Sequence, residues 1–147
     1  MNTGSSAEHD SESNSGNSSD LEDTIEALRK KARAALSDAE LLLREGSPEA
    51  TINRGYYAVF QAARAALLTE EESPNTHSGV IRRFSYHFVR TGQVSNEIGD
   101  ILTTAQSMRG RADYEAFSDF GPEEADELFE KAHRFIQTVE EQILSGR

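Results

Sequence analysis

The sequence predicts an all-α protein, an up-and-down bundle of four to five helices behind a disordered N-terminal tail. Three observations lead there. Apolar residues recur at three- and four-residue steps along most of the chain, the period of an amphipathic helix. Helix stop and start residues separate these runs at short intervals. The 147 residues include only three prolines and no tryptophan, and Ala, Leu, Glu and Arg dominate the later part, a mix that favours helix.

Residues 2–19 are almost wholly Ser, Asn, Gly, Asp and Glu and contain no large apolar group. Burial therefore cannot offset the entropy of ordering them, and residues 1–20 are expected to be a disordered acidic tail. The remaining residues, 21–147, suffice for one domain with a single core.

The first helix starts at Leu21, with Ile25, Leu28, Ala32, Ala35, Leu36, Ala39, Leu42 and Leu43 on its stripe, and Gly46 is its expected C-cap. Ser47 and Pro48 supply an N-cap and a first-turn proline for the second, which runs to about Thr69 and buries Ile52, Tyr56, Val59, Phe60, Ala63 and Leu67. A third helix covers about Thr76 to Arg90, with Val80, Ile81, Phe84 and Phe88 inward. The fourth begins after Ser95, carries Ile98, Ile101, Leu102, Ala105 and Met108, and is weakened at Gly110. Arg111 to Gly121 shows no clear period and reads as a loop. Pro122 opens the fifth helix, with Leu128, Phe129, Ala132, Ile136, Val139 and Ile143. Short links make neighbouring helices antiparallel.

The net charge of −11 argues at first against a polyanionic partner. The distribution of charge argues the other way, because six acids and no base lie in residues 1–24, more than half of the excess. Arg54, Arg64, Arg82, Arg83, Arg90, Arg109 and Arg111 occupy the middle of the chain, so the net sign conceals a candidate basic face. The chain contains no cysteine, which excludes disulfides, thiolate metal sites and a cysteine nucleophile. Its start lacks the basic and apolar regions of a leader, and no apolar run approaches a membrane span, so a cytoplasmic location away from membranes is expected. Neither a phosphate-cradling glycine loop nor a two-histidine metal motif occurs, and no cofactor or metal is expected.

Three segments could carry chemistry. Asn53 to Phe60 places Arg54, Tyr56 and Tyr57 within about one helical turn; Tyr56 and Phe60 read as core, whereas Arg54 and Tyr57 lie three apart off the stripe. For that pair, ligand binding and surface packing weigh equally. Arg83, Tyr86, His87 and Arg90 form an aromatic-interleaved basic face able to neutralise phosphate and stack a base, against the blander reading of a solvated helix side. Met108 to Tyr114 ends a helix with Arg109 and Arg111 around Gly110, where arginine can stabilise phosphorane charge and tyrosine can exchange a proton; the alternative is an Arg–Asp pair that fixes the loop.

These segments resemble the HEPN superfamily, in the branch that carries Arg-x-Tyr-Tyr-Ala-x-Phe on one helix and Arg-x-x-Ala-Asp-Tyr after a later one. Arg54 to Phe60 matches the first motif, Thr76 to Val80 looks like the next landmark, and Arg109 to Tyr114 matches the second, within a resemblance covering about Leu28 to Leu144. The resemblance implies a helical bundle that forms a homodimer and partners a minimal nucleotidyltransferase in toxin–antitoxin pairs. It also implies a metal-independent ribonuclease built on an arginine followed, after four to six residues, by a histidine. Here Tyr114 stands at that place after Arg109, and the next histidine is His133. Arg82 and His87 have the nominal spacing, but residues five apart on a straight helix diverge by about 140°, so that pair is rejected.

The sequence thus leads to an RNA- or nucleotide-binding protein, with Arg109 and Tyr114 at the catalytic position and Arg54, Tyr57, His77, Arg83 and Arg111 as binding residues. One alternative is a weak ribonuclease in which Tyr114, or His77 from a neighbouring helix, replaces the missing histidine. The other is a protein-interaction module whose acidic fifth helix docks a basic partner.

Overall fold

The computed structural model describes the backbone of residues 2–114 and 120–147, and the side chains of 19–112 and 120–147. Five helices follow in order: α1 (Asn2–Arg44), α2 (Pro48–Leu68), α3 (His77–Phe84), α4 (Asn96–Tyr114) and α5 (Pro122–Thr138). Helix α3 continues through a π-helical turn, Ser85–Val89, and α5 through another, Val139–Ile143. The all-α expectation is met, with no strand among the described residues. None of the helices described is long and apolar enough to cross a membrane.

Helix α2 is the centre of the bundle and packs against α1, α3, α4 and α5. Its sequence explains this position. Ile52, Gly55, Ala58, Val59, Ala62, Ala63, Ala65, Ala66 and Leu67 are all buried, so the helix is apolar most of the way round rather than on one stripe. Small side chains let neighbouring backbones approach closely. The main core joins these residues to Ala32, Ala35 and Leu36 of α1, Phe84 and Phe88, Ile98, Ile101 and Leu102 of α4, and Phe135 and Ile136 of α5. A second apolar cluster gathers Ile52, Tyr56, Ala105, Phe120, Ala125 and Leu128.

Gly46 closes α1 at φ +77°, with its N–H donating to the Leu43 carbonyl at 3.1 Å and the Ser47 N–H to that of Leu42 at 3.0 Å. This is the left-handed C-cap that the sequence indicated. Ser47 does precede α2, but its side chain makes no capping bond; its carbonyl instead accepts from the Thr51 hydroxyl at 2.8 Å. Thr76 caps α3 through its hydroxyl, which accepts from the Gly79 N–H at 2.9 Å.

Two expectations, on the third and fourth helices, are corrected. The helical backbone of α1 begins at Asn2. The inward packing of α1 nevertheless starts only with Leu21, Ile25 and Leu28. The third helix is not uniform, because the Arg90 N–H donates to the Ser85 carbonyl at 2.9 Å, a five-residue bond that widens the turn. Phe84 and Phe88 are both buried, with ring centroids 5.1 Å apart. The fourth helix does not stop at Gly110 but runs to Tyr114, held by Met108 and Ala112 against the second apolar cluster.

Ion pairs brace the ends. Glu140, just beyond α5, accepts from Arg33 at 2.5 and 3.0 Å and from Arg29 at 3.2 Å, which ties α5 to α1 and holds the carboxyl below its ordinary range. Glu72, after α2, accepts twice from Arg83 at 2.7 Å and lies 2.5 Å from His87 Nε2. Those bonds hold the Glu72 carboxyl down at about 2, and they fasten the α2–α3 link to the π-helical turn.

Replacing Phe135, which is fully buried between helices, by alanine is expected to cost about 3–5 kcal/mol in urea unfolding. Deleting residues 2–19 is expected to change stability by less than about 0.5 kcal/mol, since the segment has no large apolar side chain to contribute to the core. A second measurement concerns acid. A carboxyl whose folded pKa is depressed stabilises the fold above its unfolded value, here about 4.5, and loses that contribution as pH falls toward about 2. The parent should therefore lose more stability between pH 6 and about 3 than Glu72→Gln does; equal losses would show that this clamp does not contribute.

Candidate functional site

Tyr56 of α2 points away from the main core toward the start of α3. Its hydroxyl lies 2.5 Å from His77 Nδ1, where His77 is the first residue of α3 behind the Thr76 cap. The two rings stack at 5.6 Å between centroids, and Phe60, one turn along α2, stacks on Tyr56 at 5.7 Å and lies tilted against His77 at 4.5 Å. Arg109 reaches over from α4 and sets its guanidinium carbon 5.5 Å from the Tyr56 ring centroid. Three helices thus bring an imidazole, a phenol and a guanidinium to one place.

Burial pushes the Tyr56 phenol up to about 12, against the opposing pull of the Arg109 charge. The phenol accordingly keeps its proton at neutral pH. It can donate to Nδ1 of a neutral imidazole, which places the ring's own proton on Nε2; a protonated ring would reverse the bond. Either way the Tyr56 hydroxyl fixes the orientation of the His77 ring. A guanidinium beside a steered imidazole suits a phosphate group: the first binds its charge, and the second donates to an oxygen or exchanges a proton.

The other predicted residues fall elsewhere. Tyr57 follows Tyr56 and so points about 100° further round the helix, toward α1. There Arg54 lies over its ring at 4.5 Å and approaches Asp38 of α1 at 3.9 Å. Arg83 is engaged by Glu72 and lies over Tyr86. Arg111 covers the ring of Phe120 at 4.6 Å, at the edge of the apolar cluster that also holds Tyr56. Tyr114 ends α4, and its side chain lies outside the described residues. The structure therefore joins His77 to Arg109, and separates both from Arg54 and Tyr57 on the α1 side and from Arg83 at the Glu72 clamp.

Tyr56 and Phe60 read as plain core in the sequence. The available signal was the phenol itself, since a buried tyrosine hydroxyl needs a partner and His77 opens the next helix. The rejected pair stays apart: Arg82 lines a groove against α4, while His87 is bonded to Glu72. Among the described residues, no group of three or more acids, histidines or cysteines is placed to hold a metal ion.

Comparison with known proteins agrees with this architecture. The HEPN domain model matches residues 25–142. A "UPF0332 protein" of Thermotoga maritima is 36% identical over 122 residues, 83% of this chain and 92% of its own length. A Methanocaldococcus jannaschii protein named "Putative toxin MJ0142" is 32% identical over 121 residues, 82% of each chain. The crystal structure of TT1696 from Thermus thermophilus shares the fold, with a TM-score of 0.69 at 17% identity over 80% of this chain and 97% of that one. The helical order, the motif positions and these matches coincide, and the chain belongs to the HEPN domain family.

Proposed function

We propose that this chain is a toxin-like HEPN protein that binds RNA or a nucleotide at the cluster formed by Arg109, Tyr56 and His77. The observation that carries the reading is the convergence of Arg109 and His77 on one buried tyrosine. Arginine supplies the charge that a phosphate requires, and the half-buried His77 ring, held by Tyr56, offers a hydrogen-bonding edge beside it. Arg111 lies two residues from Arg109 at the same helix end, and Tyr114 is assigned to the same ligand as a stacking or hydrogen-bonding group. Arg54 with Tyr57 is a second, separate pair, suited to a longer strand or to a neighbouring protomer.

The toxin name borne by the Methanocaldococcus jannaschii relative supports the setting. In this reading the protein works in the cytoplasm as a homodimer and has a minimal nucleotidyltransferase as its partner. Co-expression with such a protein should yield a complex. A complex unaffected by loss of Arg54 and Arg109, from a protein that binds no RNA, would favour the protein-interaction alternative.

A second reading, favoured by the His77 geometry, is a weak metal-independent ribonuclease. His77 would take the proton of an RNA 2′-hydroxyl as its oxygen attacks the adjacent phosphorus, Arg109 would stabilise the phosphorane, and the 5′-oxygen would leave with a proton from water or Tyr114. Proton-transfer groups contribute about 100- to 10,000-fold, so His77→Ala should abolish cleavage by the parent if this chemistry operates.

Binding of a labelled single-stranded RNA and of AMP tests the first reading. Affinity should weaken as salt is raised, and Arg109→Ala should lower it by about 10-fold or more. His77→Ala and Tyr56→Phe should each lower it less, the second by releasing the imidazole. A parent that binds neither probe, or variants indistinguishable from it, would sink the assignment.

A further inference from the structure

The outer face of α3 and its π-helical turn carries an arrangement that the cluster around Tyr56 does not use. Among the described residues, Tyr86 is one of two large apolar side chains that stand well exposed, at 48%. Two guanidiniums flank its ring, Arg83 at 4.4 Å and Arg90 at 5.4 Å from the centroid. The three residues sit at i, i+3 and i+7, one stripe along the surface. Glu72 grips Arg83 through both carboxylate oxygens, so the guanidinium beside the ring is fixed rather than swinging.

Charge distinguishes this stripe from the rest of an acidic protein. No acid occurs from Ser73 to Asn96, while Arg82, Arg83 and Arg90 fall within that stretch. Glu72 and Glu70 do approach from the end of α2, but they are taken up locally: Glu72 by Arg83 and His87, and Glu70 at 3.6 Å from His87. Among the described residues neither Arg82 nor Arg90 makes an ion pair. Arg90 stands exposed over the Tyr86 ring, and Arg82, also exposed, lines the groove against α4 together with Asp100.

We infer that this Arg83–Tyr86–Arg90 stripe, with Arg82 beside it, is a second contact surface for single-stranded RNA, distinct from the Arg109 cluster. The inference rests on the RNA-binding reading for its ligand but not for its residues. Every base has a π-face, so tyrosine and guanidinium planes accept stacked bases with little sequence preference, while Arg82 and Arg90 neutralise the adjoining phosphates. Residues 77 and 86 are nine apart, so His77 and Tyr86 face nearly opposite ways on α3. A strand on this stripe thus lies apart from the Arg109 cluster. The stripe adds length-dependent affinity, and the cluster reads one phosphate.

The test uses the full chain, a labelled 12-nucleotide single-stranded RNA and AMP. Tyr86→Ala should weaken RNA binding by about 10-fold, the loss expected for one stacked base, and leave AMP binding unchanged. Tyr86→Phe should restore RNA binding, because it keeps the ring. Arg82→Ala with Arg90→Ala should reduce the slope of log affinity against log salt by about 1.4, or roughly 0.7 for each single-strand phosphate no longer neutralised. The three substituted side chains are exposed, and circular dichroism of each variant checks the fold. If Tyr86→Ala and the double arginine variant bind the RNA as the parent does while Arg109→Ala fails, the stripe is overturned and the central reading stands. If only the stripe variants fail, the stripe stands and the central reading falls. A parent that binds no RNA, or one that binds an acidic peptide at this face instead, overturns the stripe.

Discussion

Close packing around α2 is the constraint on which the rest of the structure depends. A helix touched by every other helix can be accommodated only if its own side chains are small, and Gly55, Ala58, Ala62, Ala63, Ala65 and Ala66 meet that condition. A Cβ at Gly55 would already touch Leu128 of α5 at 3.6 Å. The bulky residues that fill the core come from the surrounding helices, chiefly Phe84, Phe88 and Phe135. Where α2 buries a large polar ring, at Tyr56, it does so at the seam where α3 begins and α4 ends. The same packing that makes the core therefore positions the candidate site.

Arginine has two uses in this acidic chain. Between segments it offsets carboxylates: Arg29 and Arg33 share Glu140, Arg134 pairs with Glu97, and Arg147 pairs with Glu22. Such partly exposed pairs each add little stability, and their value lies in fixing which ends meet. In the middle of the chain arginine is also laid on aromatic rings, over Tyr56, Tyr57, Tyr86 and Phe120, with Arg83 held by Glu72 and Arg54 close to Asp38 as well. A guanidinium on a ring keeps its charge. Local clustering of such cations is compatible with attraction for phosphate in a protein with a net charge of −11.

The π-helical turns link these two themes. At Ser85–Val89 the widened turn accompanies the burial of Phe88 and leaves Tyr86 outside, with His87 between them on Glu72. At Val139–Ile143 it buries Val139 and Ile143 while Glu140 meets the two arginines of α1. The Gln93 side chain, in the link that follows the first turn, donates to the Gln142 carbonyl in the second at 2.8 Å.

The sequence by itself determined the helices, because hydrophobic period, Gly46, Thr76 and Pro122 are local signals that act through the backbone of their own segment. It also marked Arg109 and His77 as unusual polar residues near helix ends. It could not show that they share Tyr56, since a tyrosine on an apolar stripe looks the same whether its hydroxyl is idle or bonded across helices. Nor could it separate Arg54 and Tyr57 from that site, or reveal the π-helical turns and the extension of α4 past Gly110. Those outcomes were decided by tertiary packing, in which Met108 and Ala112 gain a neighbour only once Ile52 and Leu128 are in place. Local propensity sets where a helix is possible; burial against other elements sets where it ends and which of its side chains meet.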